Sequence, residues 1–170
     1  MAQKITDPLT FLTNLVSKRG KSDLFGVYLT GVKILAESQE DYGYTAKPDR
    51  VSSDIEAMFQ KDEANWNRLL VETRKNPEDV VHPVSFVRDG ELITTYFVTE
   101  GHEMSAMVFI PTSVVDEFVT EVTFYQQLLK EVAKFAGKTP TSILFTIGVV
   151  WMEWSDMVES GAAREVDVGF

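Results

Sequence analysis

Residues 84–98 read VSFVRDGELITTYFV, two runs of β-forming side chains joined by Asp89 and Gly90. Asp-Gly between such runs is the preferred two-residue type I′ hairpin turn, because both positions need a positive φ. The segment therefore predicts an antiparallel hairpin. In that register Arg88 faces Glu91 across the turn, and we expect two solvated charges whose ion pair contributes only about 0 to 1 kcal/mol.

After the hairpin, the pattern predicts a strand, a long helix and a second strand. Met104–Ile110 has the pattern of a strand. Pro111–Ser113 are expected to begin the long helix, and Gly137 and Pro140 are expected to end it. Ile143–Met152 is a nearly continuous apolar run, which is typical of a strand covered on both faces. These elements predict a sheet backed by one long buried helix.

Before the hairpin, the chain begins with a helix and a strand. Asp7 followed by proline is a good N-cap and first-turn pair, and the helix should run to about Lys18. Leu24–Leu35 is rich in aliphatic and aromatic residues, and Gly26 and Gly31 interrupt it. A strand with a bend or bulge is the expectation.

The next segment is polar and is followed by a second helix. Residues 37–50 predict an exposed loop. Ser53 and Glu56 form a capping-box pattern, which favours a helix from about Asp54 to Asn67. The tail from about residue 160 carries a small acidic cluster. With its 170 residues, the chain is expected to form one domain over 1–170, of the α+β class, with a mixed and mostly antiparallel sheet.

Composition excludes several classes of function. The chain carries 26 acidic against 16 basic side chains, a formal charge of −10, which opposes general nucleic-acid binding. It has no cysteine and two histidines, which excludes disulfides, thiol nucleophiles and iron–sulfur clusters and disfavours zinc sites. No apolar run reaches about 18 residues, so we expect a cytoplasmic protein without membrane contact.

Five short blocks occur in an order that resembles thymidylate synthases and the related pyrimidine hydroxymethylases. They are NRLLV (67–71), NPED (76–79), FVRDGEL (86–92), FYQQLL (124–129) and LFTIG (144–148). The resemblance covers roughly residues 54–159. It implies a thymidylate synthase-like fold in which residues 67–71 form a strand, and a homodimer formed through a kinked sheet.

The departures from the family bear most on function. The family reacts through a cysteine thiolate, which this chain lacks. Residues 98–101, VTEG, stand where the family has the arginine and serine that hold the substrate phosphate. Trp151 and Glu153 stand in place of the histidine and tyrosine that bind the sugar. Glu121 stands in place of the asparagine that orients the pyrimidine ring. Arg68 alone matches, as the arginine that reaches the partner's nucleotide phosphate. The resemblance thus implies substrate-binding positions at Arg68, Glu121, Trp151 and Glu153.

Three hypotheses follow. The first is a catalytically degenerate, non-enzymatic binding protein without a cofactor or metal, acting on a protein partner or a pyrimidine nucleotide; such a protein fits an accessory role in a phage or mobile element. The second is an enzyme of altered chemistry on a pyrimidine or modified nucleotide, with Asp79 or Glu103 as base and Tyr42 or Tyr44 as acid. The third is an unrelated α+β binding module, which a sheet without a kink would favour.

Each of these residues also has a purely structural interpretation. An arginine such as Arg68 at a helix-to-strand junction is more often a surface residue. His82, beside a proline, is more often a packed histidine than a general base. Trp151 would ordinarily be buried in the core or in a dimer interface. Glu153, Asp156 and Glu159 could hold a divalent cation if that segment were helical, but they are more often a solvated face.

Overall fold

The computed structural model describes residues 3–4, 7–38, 48–75, 80–88 and 90–159. The helices, in chain order, are α1 (Pro8–Arg19), α2 (Pro48–Lys61), α3 (Glu63–Lys75), α4 (Val115–Ala136) and α5 (Trp154–Glu159). The strands are β1 (Gln3–Lys4), β2 (Lys21–Ser22), β3 (Gly26–Glu37), β4 (Val80–Arg88), β5 (Glu91–Glu100), β6 (Glu103–Val114) and β7 (Thr139–Glu153).

The strands of the described residues form one mixed sheet in the order β1-β3-β7-β6-β5-β4, with β2 paired to β3. The β3–β7, β4–β5, β5–β6 and β2–β3 pairs are antiparallel, whereas β6–β7 and β1–β3 are parallel. The parallel β6–β7 pair requires a crossover, and α4 supplies it. The predicted α+β class with a mostly antiparallel sheet is confirmed.

The hairpin and the long helix are confirmed in their main features. Arg88 lies opposite Glu91, as the Asp-Gly turn predicts, and Gly90 has a φ of 83°; Asp89 lies outside the described residues. Helix α4 buries twelve side chains, and its C-cap Gly137 has a φ of 68° and donates to the carbonyls of Ala133 and Lys134. The helix at residue 8 begins as predicted, because the Asp7 carboxylate accepts from the Thr10 amide at 3.2 Å.

The helix-facing side of the central strands β3 and β7 changes at one point along the sheet. In β3 the helix-facing positions change from Val27 to Val32, Ile34 and Ala36, and in β7 they change from Ile143, Phe145 and Ile147 to Val150 and Met152. Both changes of side occur between the pairs Thr30↔Val149 and Val32↔Ile147. Gly31, with a φ of 68°, lies at that point, so the predicted bend in this strand is confirmed.

Two predicted boundaries are wrong, and for the same reason. Residues 67–71 were expected to be a strand, but they lie within α3, where Leu69 packs into the core. Residues 111–113 were expected to open the long helix, but they continue β6, which pairs with β7 as far as Val114↔Trp151. In both places packing against a neighbouring element decides the backbone and overrides the local pattern.

The loop and tail predictions fall mainly outside the described residues. Residues 39–47 and 160–170 are not described, but Pro48 already begins α2, so the polar loop ends earlier than residue 50. The predicted helix at residues 54–67 is two helices, because Asp62 separates α2 from α3.

One layer of helices covers one face of the sheet. Helices α1 and α4 pack on β3, β6 and β7, and α3 packs on β4. Phe97, Phe118, Tyr125 and Phe145 are fully buried between the layers. Among the residues that the structure describes, no helix is both long enough and apolar enough to cross a membrane.

The close contact between β6 and β7 yields a first prediction. A Cβ at Gly148 would lie 2.5 Å from the Pro111 carbonyl oxygen, a backbone atom that cannot rotate away. We expect Gly148→Ala to reduce the free energy of unfolding by about 2 kcal/mol, since the two strands must separate. Urea denaturation measures this change. At Gly137, a Cβ meets nothing within 4 Å, so Gly137→Ala reports only the cost of its positive φ; an unchanged midpoint for Gly148→Ala would contradict the strand contact.

Candidate functional site

The sheet face opposite the helices is apolar and uncovered in the described chain. Six large hydrophobic side chains on β4, β5 and β6 point to this side and are 41–74% exposed. We call this surface the open sheet face, and its defining residues are Val81, Val87, Leu92, Tyr96, Met107 and Phe109. Monomeric proteins rarely expose contiguous apolar patches beyond a few hundred Å².

The open sheet face continues onto β7 and β3. Leu144 lies beside Met107, and the Trp151 ring contacts the Tyr28 ring in a tilted arrangement with centroids 4.9 Å apart. These side chains are partly exposed, so in the described chain the expectation that β7 is covered on both faces is fully met only on the helix side. The apolar run of β7 is continuous because its side chains on the open sheet face are apolar as well as those that face the helices.

A cavity of about 200 Å³ lies where β5 and β6 separate. The β5–β6 ladder runs only from Thr95↔Val108 to Glu100↔Glu103, so residues 91–94 and 109–114 diverge. Helix α4 closes the resulting gap with Glu117, Glu121 and Tyr125, and Arg88 enters from the end of β4. We call this space the Arg88 cavity.

Arg88 and Glu121 form the central ion pair of the Arg88 cavity. The Arg88 Nη1 lies 2.6 Å from the Glu121 Oε2, and the two side chains are only 17% and 23% exposed. The guanidinium carbon also lies 3.9 Å above the Phe124 ring, a cation–π contact. The expectation that Arg88 is a solvated surface charge is therefore wrong, because α4 places a carboxylate and an aromatic ring against it.

Tyr125 stays neutral and protonated beside this pair. Burial raises the pKa of its hydroxyl well above the usual range, and the Glu121 carboxylate raises it further, while Arg88 opposes the shift. The nearby Thr95 hydroxyl lowers the pKa of Tyr125. The Thr95 oxygen itself is buried and has no hydrogen-bond partner among the described residues. The cavity therefore presents an uncharged phenol next to a paired carboxylate.

The charges of the Arg88 cavity do not suit a phosphate. Three carboxylates, from Glu91, Glu117 and Glu121, line it against one guanidinium, which Glu121 already engages. Phosphate recognition requires the opposite balance, with free arginine or backbone N–H donors. A neutral ligand that donates hydrogen bonds fits this lining better.

The structure does not bring the four substrate-binding candidates together in one chain. Arg68 lies exposed on α3, where its Nη2 donates to Asn65 Oδ1 at 3.2 Å. Trp151 belongs to the open sheet face, and Glu153 is exposed at the end of β7. Only Glu121 lines the Arg88 cavity, and it is on the helix side of the sheet.

The catalytic candidates can be placed only in part. Tyr42, Tyr44 and Asp79 lie outside the described residues. Glu103 is exposed and stands opposite Glu100 at the turn between β5 and β6. Like charges directly opposite each other on paired strands are destabilising, and both carboxylates are exposed to solvent here.

His82 is a packed histidine, as its structural interpretation predicted. It is 3% exposed, faces the helices from β4, and its Nδ1 lies 3.8 Å from the Glu72 carboxylate. Its Nε2 is buried without a hydrogen-bond partner among the described residues. Burial lowers the pKa of the imidazole below 6.5, although Glu72 opposes that shift.

The histidine yields a pH prediction. Because the folded pKa lies below the unfolded value near 6.5, the unfolded chain takes up the proton first as the pH falls. We expect the free energy of unfolding to decrease as the pH is lowered through about 6.5, and His82→Gln to remove that part of the slope. Urea midpoints between pH 7.5 and 5.5 measure it. The exposed His102 is the matched control, and a slope lost equally in His102→Gln would contradict this assignment.

Sequence reasoning missed the two features that define the candidate site. The open sheet face was visible as apolar residues at alternate positions in β4, β5 and β6, opposite the buried set. Arg88 was noticed, but its partner Glu121 is 33 residues away, and no local pattern connects them.

Within the described ranges, no group of three or more histidine, aspartate or glutamate side chains is placed to hold a metal ion. Glu153, Asp156 and Glu159 do not form such a group, although α5 makes part of that segment helical. Comparison with models of known protein families finds no match to this chain, and comparison with curated proteins finds none.

Proposed function

We propose that this chain is a non-enzymatic binding protein that assembles as a homodimer through the open sheet face. The observation that carries the proposal is the row of exposed apolar side chains across β4, β5 and β6. Burying them removes apolar surface from water, which is the main driving force for association.

A second copy suits this surface because of its charge distribution. The chain has a formal charge of −10, so two copies repel each other except where charges are sparse. Around Tyr96 and Met107 the neighbouring outward-facing side chains are apolar or hydroxyl-bearing, such as Thr94 and Ser105. The carboxylates Glu100 and Glu103 stand at the end of the strands, where an interface would have its solvated rim.

The size of the open sheet face also suits a dimer. Five strands spaced by about 4.8 Å, with about eight residues each, present a projected area of roughly 600 Å² per copy. Two such faces bury at least about 1,200 Å², which is within the range of specific protein interfaces.

The thymidylate synthase-like character of the fold belongs to the same proposal. It is supported by the Asp-Gly hairpin and the long helix ending at Gly137, which follow one another in the order that the resemblance requires, and by the change of side in β3 and β7. The helical state of residues 67–71 argues against that block of the resemblance.

A non-enzymatic role is tested by assaying turnover. We expect no product above the no-protein control when dUMP or dCMP is supplied with a folate donor, because the chain has no cysteine to add to the pyrimidine ring. Turnover that Arg68→Ala abolishes would overturn the proposal and favour the enzyme of altered chemistry.

A pyrimidine ligand is tested separately by calorimetry. If the Arg88 cavity binds one, the carboxylate lining predicts that nucleosides bind at least as well as their 5′-monophosphates. Tighter binding of dUMP or dCMP than of the nucleosides would place a phosphate site elsewhere on the chain.

A further inference from the structure

A second apolar site lies on the helix layer, between α2, α3 and α4. Three aromatic rings line it: Phe59 lies 4.5 Å from Trp66 and 6.4 Å from Phe135, measured between ring centroids. Leu70 and Val132 complete the wall. We call this surface the aromatic groove, and it lies on the side of the sheet away from the open sheet face.

The groove has two connected parts that share Phe59 and Phe135. The part beside Trp66 has a volume of about 160 Å³, and the part beside Ile55 has about 260 Å³. An apolar cavity of about 150 Å³ accepts a molecule the size of benzene. Each part of the groove therefore accommodates one large apolar side chain.

Trp66 supplies an unused polar group in the groove wall. The side chain is 4% exposed, and its Nε1 is buried without an acceptor among the described residues. A buried N–H without a partner costs about 1–3 kcal/mol. A ligand that packs against Trp66 changes the surroundings of this N–H, which makes its resonance a reporter of the groove.

Carboxylates surround the aromatic groove. Glu63 lines the part beside Trp66, and Glu56 and Glu131 line the other part. Two of these carboxylates accept from amides, since Asn67 Nδ2 donates to Glu63 at 3.3 Å and Gln127 Nε2 donates to Glu131 at 3.1 Å. Neither contact neutralises charge.

A cation beside the groove, Arg74, is already engaged. Its Nη2 donates to the Phe135 carbonyl at 2.7 Å. In the described part of the chain, the residues that line the two parts of the groove include three carboxylates and no lysine or arginine, an excess of negative charge that complements a basic ligand.

We infer that the aromatic groove binds a basic linear segment of a partner protein, which inserts one aromatic side chain and places lysines or arginines against the surrounding glutamates. The inserted ring packs on Phe59 and Phe135, beside the Trp66 indole. This inference deepens the proposed binding function by naming the chemistry of a partner, but it does not depend on dimer formation.

The probes are three synthetic peptides, acetyl-KKFKK-amide, acetyl-KKAKK-amide and acetyl-EEFEE-amide, titrated into the ¹⁵N-labelled protein at low salt. We expect saturable binding of the first peptide, a shift of the Trp66 indole N–H resonance, and at least about tenfold weaker binding of the other two. A Trp66→Phe variant identifies that resonance among the three tryptophans.

Variants locate the binding. Phe135 is 47% exposed, so Phe135→Ala should leave the fold intact and weaken the first peptide at least about tenfold. Phe25→Ala is the matched control, because Phe25 is exposed in the turn between β2 and β3. Glu63→Lys with Glu131→Lys should weaken binding, and the exposed Glu159→Lys should not.

Three results would overturn the inference: no saturable binding of the first peptide, equal binding of the acidic or alanine peptide, or binding that Phe135→Ala leaves unchanged. A lack of saturable binding would also be observed if another segment of the same chain occupied the aromatic groove. Repeating the titration with the Phe109→Asp variant separates this inference from the proposed dimer, since peptide binding should persist in it.

Discussion

Phe109→Asp is expected to convert the proposed dimer into a monomer. Phe109 belongs to the open sheet face, lies beside Thr146 of β7 and is 54% exposed, and it also borders the Arg88 cavity. In a two-fold symmetric contact, the same patch of both copies meets, so one substitution brings two new carboxylates into the interface. Like charges in a dry contact cost several kcal/mol, so we expect the dimer dissociation constant to rise by roughly a hundredfold or more.

Light scattering at several concentrations measures the change. The wild-type chain should give twice the 19.2 kDa mass of one copy, and the variant should give a single mass. Leu24→Asp is the matched control, because it adds the same charge at a side chain that is more exposed but lies away from the face. The monomeric variant should keep its stability within about 0.5 kcal/mol, since the substituted side chain is at the surface of the single chain. A Phe109→Asp protein with unchanged dimer mass would exclude this face as the interface.

Arg88→Met is expected to destabilise the fold by about 3 kcal/mol. The substitution leaves the Glu121 carboxylate, which is 23% exposed, without its 2.6 Å partner, and it removes the cation above the Phe124 ring. Breaking a pair in this way costs more than deleting both charges, because the remaining charge is poorly solvated. Thermal or urea denaturation at pH 7 measures the loss.

A double-mutant cycle separates the pair from the packing. Arg88→Met with Glu121→Leu should be less destabilised than the sum of the two single variants, by about 1–3 kcal/mol. Arg68→Met is the control for loss of an arginine, since Arg68 is exposed, and it should change stability by no more than about 0.5 kcal/mol. If the loss of stability in the double variant equals the sum of the losses in the two single variants, the Arg88–Glu121 contact does not stabilise the fold.

Local patterns in the sequence predicted the elements whose determinants are local. The Asp-Gly turn predicted the hairpin and the Arg88–Glu91 register, and glycine predicted the end of α4, because positive φ angles are set by the residues themselves. The α+β class followed from the alternation of helical and extended patterns. The first helix followed from its Asp7 cap.

The errors occurred where distant contacts decide the structure. Residues 67–71 have a pattern compatible with either state, and the packing of Leu69 makes them helical. Residues 111–114 continue as a strand because β7, which follows 25 or more residues later, pairs with them. The Arg88–Glu121 pair likewise joins a hairpin to a helix, and the burial of both charges becomes visible only in the folded chain.

The open sheet face could have been recognised from the sequence by counting both faces of each strand. Val81, Val87 and Leu92 alternate with the buried positions, so both faces of the hairpin are apolar. The prediction treated the apolar run of β7 as a sign of coverage from both sides within one chain. The structure covers one side only, and the second copy in our proposal would cover the other.

The most direct test of the proposed dimer uses the absence of cysteine, which allows one spin label per chain without background. Tyr96→Cys places the label within the open sheet face, and Leu24→Cys places it outside. Because packed sheets lie about 10 Å apart, the account predicts a short, well-defined distance between Tyr96→Cys labels and a longer one for Leu24→Cys. The samples should have the protein concentration used for the light-scattering measurement of the wild-type mass. If neither labelled position then shows dipolar coupling, the proposed dimer is contradicted.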